Sequence, residues 1–139
     1  MPPIYGCTHV APLYNQGVAV LQNGFNAIRD FGFASVRLYA TGNYVANYPG
    51  QTWGGVATNL TELMQLAPYA TILGDSTINR YWFTTFTFAN GTGNAYLNQA
   101  LPSELLAEYN EMKNFAMHLL STYSGKTFLI NQVETDFAL

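Results

Sequence analysis

Glu134 and Asp136 are the first residues to weigh, because a pair of carboxylates is the usual equipment for hydrolysing a glycosidic bond. They stand in Asn131-Gln132-Val133-Glu134-Thr135-Asp136, directly after the apolar Phe128-Leu129-Ile130. A Glu at the end of a buried strand is partly desolvated, which raises its pKa toward working pH and suits it to general acid/base chemistry. On an extended chain Asp136 points the same way, roughly 6.6–6.8 Å further along. That spacing is compatible with an inverting carboxylate pair, or with one carboxylate that awaits a partner from elsewhere.

Three further groups could serve such a reaction. Arg37 lies in Ala34-Ser35-Val36-Arg37-Leu38-Tyr39-Ala40, where alternation sets Ser35, Arg37 and Tyr39 on one face and Val36 and Leu38 on the other. A buried Arg needs a carboxylate or several acceptors, so Arg37 could orient a catalytic carboxylate, or else make a structural ion pair. His9 follows the first apolar segment and could hydrogen-bond a substrate hydroxyl, although a lone His is more often structural. The segment 41–55 sets Tyr44, Tyr48 and Trp53 among Asn, Thr and Gly. Aromatic faces stack on sugar rings while amides and hydroxyls bond sugar hydroxyls, so Tyr44, Tyr48, Trp53 and Asn131 are candidate glycan contacts. The alternative is that the aromatics only pack the loop down. No His or Cys stands at metal-ligand spacing, so neither a metal nor a cofactor is expected.

The elements that must position these residues alternate. A strand is expected over residues 4–10, a helix over 17–31 ended by Gly32, and a strand over 34–40. A long loop covers 41–57, then a helix over 60–67 capped by Thr58 or Asn59 and limited by Pro68. Residues 81–88 are aromatic or β-branched and read as a strand, with the aromatics expected in the core. The strongest helix is 103–123, where Leu105, Leu106, Tyr109, Met112, Phe115, Ala116, Leu119, Leu120 and Tyr123 form one apolar stripe. Gly125 ends it and residues 126–131 begin a fourth strand. Alternating strands and helices predict an α/β fold of parallel strands with right-handed crossovers. No G-x-G-x-x-G follows the first strand, which speaks against a doubly wound nucleotide binder. Long loops after strands and short ones before them suit roughly the first half of a TIM (β/α)8 barrel, so residues 1–139 are expected to be a single partial domain. The expectation is that the natural protein continues past Leu139. Otherwise two copies would cover each other as a homodimer.

Composition narrows the partners. Hydrophobic residues are 49% of the chain, enough for a core, while charged residues are only 9%, against about 25% in typical soluble domains. Five Lys and Arg scattered in a chain of net charge −3 give no nucleic-acid footprint, and no apolar run is long enough to span a membrane. Low charge with abundant Asn and Thr suits a neutral glycan partner and an extracellular setting.

The segments GFNAIRDFGFASVRLYA, STINRYWFTTFTF and STYSGKTFLINQVETDFAL resemble the opening half of glycosidase-like TIM-barrel proteins. In those, the strand-four segment delivers a Glu, often within a W-E-G-D-W-like stretch. Val133-Glu134-Thr135-Asp136-Phe137 occupies that place here, with Val133 and Thr135 replacing the aromatic and the Gly. Arg37 matches the Arg ending strand two in the large retaining superfamily whose two carboxylates are both Glu. The resemblance implies carbohydrate hydrolysis, with Glu134 as acid/base. The nucleophile Glu of strand seven has no counterpart in these 139 residues.

Overall fold

The computed structural model describes residues 6–9, 19–89 and 102–132. Glu134 and Asp136 lie outside them. Four parallel strands form one sheet in the order β1-β2-β3-β4: β1 Gly6–Thr8, β2 Ser35–Ala40, β3 Arg80–Thr85 and β4 Thr127–Gln132. The helices are α1 Val20–Asp30, α2 Tyr44–Asn47, α3 Leu60–Gln65, α4 Ala67–Gly74 and α5 Pro102–Thr122.

The local chemistry explains the boundaries. α1 buries Val20, Leu21, Phe25 and Ile28 at helical spacing. It ends in a Schellman motif: Phe33 N–H donates to the Ile28 carbonyl, Gly32 N–H donates to that of Arg29, and Gly32 takes φ +83°. Asn59 caps α3, its side-chain oxygen accepting from Glu62 N–H at 2.9 Å. The Glu62 carboxylate reaches back to the Thr58 N–H at 2.8 Å and the Thr58 hydroxyl at 2.7 Å. Those bonds, led by the Thr58 N–H, hold its pKa below the ordinary carboxylate value.

One helical expectation is corrected. The helix over 60–67 is cut at Leu66, whose ψ of 140° breaks the spiral, and a second helix, α4, starts with Pro68 in its first turn. α4 buries Pro68, Tyr69, Ile72 and Leu73 and is too uniformly apolar to show a helical period. On α5 the long apolar stripe is only partly covered. Phe115 and Leu119 are buried, whereas Leu105, Leu106, Tyr109 and Leu120 are exposed.

Register fixes the two faces of the sheet. Val36, Leu38 and Ala40 pair with Tyr81, Phe83 and Thr85, and all six are buried in the core beneath the helices. Phe128 and Ile130 extend this face on β4. Alternation puts the intervening residues on the opposite face, where Trp82 is 44% and Leu129 49% exposed. Among the described residues no helix is long and apolar enough to cross a membrane.

Candidate functional site

The open face is built in three layers read directly from the strand register. Gly6, Ser35, Arg80 and Thr127 form the layer at the start of the strands. Thr8, Arg37, Trp82 and Leu129 form the middle layer, and Tyr39, Thr84 and Asn131 the last. Arg37 holds the middle together. Its Nε donates to Thr84 Oγ1 at 2.8 Å, and its guanidinium carbon lies 5.5 Å from the centroid of the Trp82 ring. Both ion pairs among the described residues are made by Arg29, so no described carboxylate neutralises Arg37. A trough of about 360 Å3 opens over the first two layers, lined by Thr8, Ser35, Arg37, Arg80, Trp82 and Leu129 among others.

Of the residues singled out from sequence, the structure brings Arg37 and Asn131 to this face. Asn131 is half-buried, and its backbone carbonyl accepts from Thr85 Oγ1 at 3.3 Å. His9 goes elsewhere. The alternation that sets Gly6 and Thr8 on the open face turns Cys7 and His9 toward the helices. The imidazole is 1% exposed, with Nε2 donating to the Val20 carbonyl at 2.8 Å and Nδ1 without a partner among the described residues. Gly24 makes room for it, since a Cβ there would stand 2.2 Å from His9 Cε1. Burial lowers the pKa of His9, against the raising effect of the Val20 and Leu21 backbone groups. A neutral, enclosed His9 cannot meet a substrate hydroxyl in this arrangement.

The aromatic platform expected over 41–55 is likewise corrected. Tyr44, Tyr48 and Trp53 are 5%, 0% and 8% exposed. Their rings are spent on one another and on α4. Tyr44 meets Trp53 edge-on at 4.6 Å, Trp53 stacks on Tyr69 at 5.8 Å, and Tyr48 meets Tyr69 at 6.4 Å. The phenols do structural work at the end of β2. Tyr48 Oη accepts from Tyr39 N–H at 2.8 Å and donates to the His9 carbonyl at 3.1 Å. Tyr69 Oη donates to the Tyr39 carbonyl, and burial first, then the neighbouring Tyr48, pushes its pKa well above the usual phenol value.

No protein-family model, curated protein or solved structure matches the chain.

Sequence reasoning missed several members of the site. It assigned Trp82 to the core with the other strand-three aromatics, but while Tyr81 and Phe83 are buried there and Phe88 packs against it, Trp82 is 44% exposed. The signal was present as Arg80-x-Trp82-x-Thr84, a polar-tolerant alternation that matches Ser35-x-Arg37-x-Tyr39 on the neighbouring strand. Glu111 was also missed. Its carboxylate accepts from the N–H groups of Leu60, Phe88 and Ala89, each at 2.9 Å. It ties α5 to the start of α3 and to the loop after β3. Among the described residues no group of three His, Cys, Asp or Glu could hold a metal ion.

Proposed function

We propose that the chain supplies the first half of a (β/α)8 barrel that hydrolyses glycosidic bonds in a neutral glycan, with Glu134 as general acid/base, Asp136 two residues on in the sequence as its candidate partner and Arg37 in support. The observation that carries this reading is the strand order 1-2-3-4 with core on one sheet face and an open face of mixed polar and apolar side chains opposite. A doubly wound sheet covers both faces with helices, whereas a barrel keeps helices outside and turns the other face inward. Arg37 and Asn131 on that inner face, and Glu134 two residues beyond β4, fit catalysis at the carboxyl ends of the strands. The low charge of the chain supports a neutral substrate and an extracellular setting. A non-catalytic glycan binder acting through loop 41–55 is disfavoured, because its rings have no free face. The exposed Trp82 and Leu129 favour one second reading, in which two copies close over each other. A monomer in light scattering at micromolar concentration would remove it.

The test is turnover of aryl glycosides by the intact protein. Glu134→Gln is expected to lower kcat by at least about 100-fold, the scale of a lost general acid. Unchanged turnover in that variant would remove the assignment of Glu134.

A further inference from the structure

Among the described residues, the lower half of the open face carries two positive charges and no negative one. In a filled barrel such layers are packed with branched apolar side chains. Here they hold Arg37, Arg80, the hydroxyls of Thr8 and Ser35, and Gly6. A Cβ on Gly6 would stand 2.3 Å from Ser35 Oγ, so the serine side chain lies directly over the glycine. The resulting trough of about 360 Å3 falls within the range of small-molecule sites.

Its chemistry is specific. Arg37 is fixed by its Nε bond to Thr84 and by the Trp82 ring, which leaves its terminal nitrogens without a described carboxylate. Arg80 stands diagonally from it, two positions back on the neighbouring strand. Two arginines lining one trough suit a planar oxyanion, which guanidinium groups bind in fork geometry. In the same row as Arg37, Trp82 and Leu129 expose 44% and 49% of their surface and give the trough an apolar part.

We propose that this trough binds a small carboxylic acid with a flat apolar body, its carboxylate between Arg37 and Arg80 and its body against Trp82 and Leu129. The site extends from the middle layer toward the starts of the strands and shares Arg37 with the hydrolytic reading, but Arg80, Trp82 and Leu129 have no part in that reading and binding is read without turnover.

Benzoate is the probe and benzyl alcohol its neutral counterpart. Trp82 is exposed and Trp53 buried, so benzoate should change tryptophan emission saturably in the unmodified protein, and Trp82→Phe should remove that change. Calorimetry should show affinity falling by about tenfold or more in Arg37→Gln and in Arg80→Gln, the loss expected for one charged hydrogen bond. Benzyl alcohol should not saturate. Far-UV circular dichroism checks folding. If Arg37→Gln does not fold, Arg37→Lys, which keeps the charge but loses the fork, should still weaken binding. The proposal is overturned by non-saturating benzoate, by equal binding of benzyl alcohol, or by full affinity in both arginine variants. It is also overturned by a dimer that Arg37→Gln dissociates, since the occupant would then be a carboxylate of a second copy.

Discussion

Tyr48 shows how a chain with few charges fixes its backbone. A single phenol oxygen accepts from Tyr39 N–H and donates to the His9 carbonyl at full burial, so it joins the ends of β1 and β2 across the top of the sheet. Tyr69 completes the arrangement from α4 by serving the Tyr39 carbonyl. Removing the Tyr48 hydroxyl leaves two backbone groups without their partner in a site that excludes water. The cost of such unsatisfied groups is about 1–3 kcal/mol each, discounted where the structure relaxes. Tyr48→Phe is therefore expected to destabilise the fold by about 3 kcal/mol. Urea unfolding followed by circular dichroism would measure it, and a change under about 0.5 kcal/mol would show that the bridge carries no net stability. The same burial explains why sequence misled on this loop. Aromatic residues among amides are what a sugar platform looks like, but composition does not say which way the rings turn.

At the scale of elements, the strands and the caps were legible and the coverage of helix faces was not. The period-two alternation of Ser35–Ala40 and the β-branched and aromatic run at Arg80–Thr85 are local signals, and both strands form. Gly32 and Gly125 stop their helices with φ of +83° and +74°, a conformation that favours glycine and so leaves a mark in sequence. α4 had no such mark, because an element buried on most sides loses its period. The α5 stripe lies on the helix its spacing implies, but its coverage was not legible. Helical spacing identifies a face that can be buried, while whether it is buried depends on what packs there, and Leu105, Leu106, Tyr109 and Leu120 remain outside. What anchors α5 is partly polar. Glu111 accepts three backbone N–H groups, one of them at the first turn of α3, where a negative charge also meets the helix dipole favourably. Glu111→Gln keeps the shape but replaces one acceptor oxygen with an NH2 that faces a donor. About 2 kcal/mol of stability should be lost, the scale of a charged hydrogen bond in a half-buried site. Hydrogen exchange should speed up at Leu60, Phe88 and Ala89 before it does in the sheet. Unaltered exchange at these three amides would contradict the anchoring role.

For the whole molecule, the arrangement divides stability from chemistry across the sheet. One face holds the apolar core, while the other holds the arginines, hydroxyls and Trp82. The strand order made that division partly legible in advance, since alternating elements already implied parallel pairing. The side on which His9 falls was not legible, because it depends on where β1 starts, and a shift of one residue exchanges the faces. With His9 on the core side, global stability gains a pH dependence whose sign can be worked out. Burial holds the folded-state pKa of His9 below the ordinary 6.5, and among the described residues Nδ1 has no acceptor for a proton. Between the folded and unfolded values the unfolded chain binds a proton that the folded chain refuses. Stability is therefore fully present above about pH 6.5 and is lost as pH falls from there toward the folded-state value. The slope in that window has an upper limit of about 1.4 kcal/mol per pH unit for one group. Urea midpoints taken from pH 7.5 to 5 should fall for the unmodified protein, and His9→Gln, though less stable throughout from lost packing, should flatten the profile. The window lies above the range in which Glu62 and Asp75 titrate, because both carboxyls are held below their ordinary values. A profile as steep in His9→Gln as in the unmodified protein would mean that another group carries the acid sensitivity and that the neutral, enclosed imidazole is not its source.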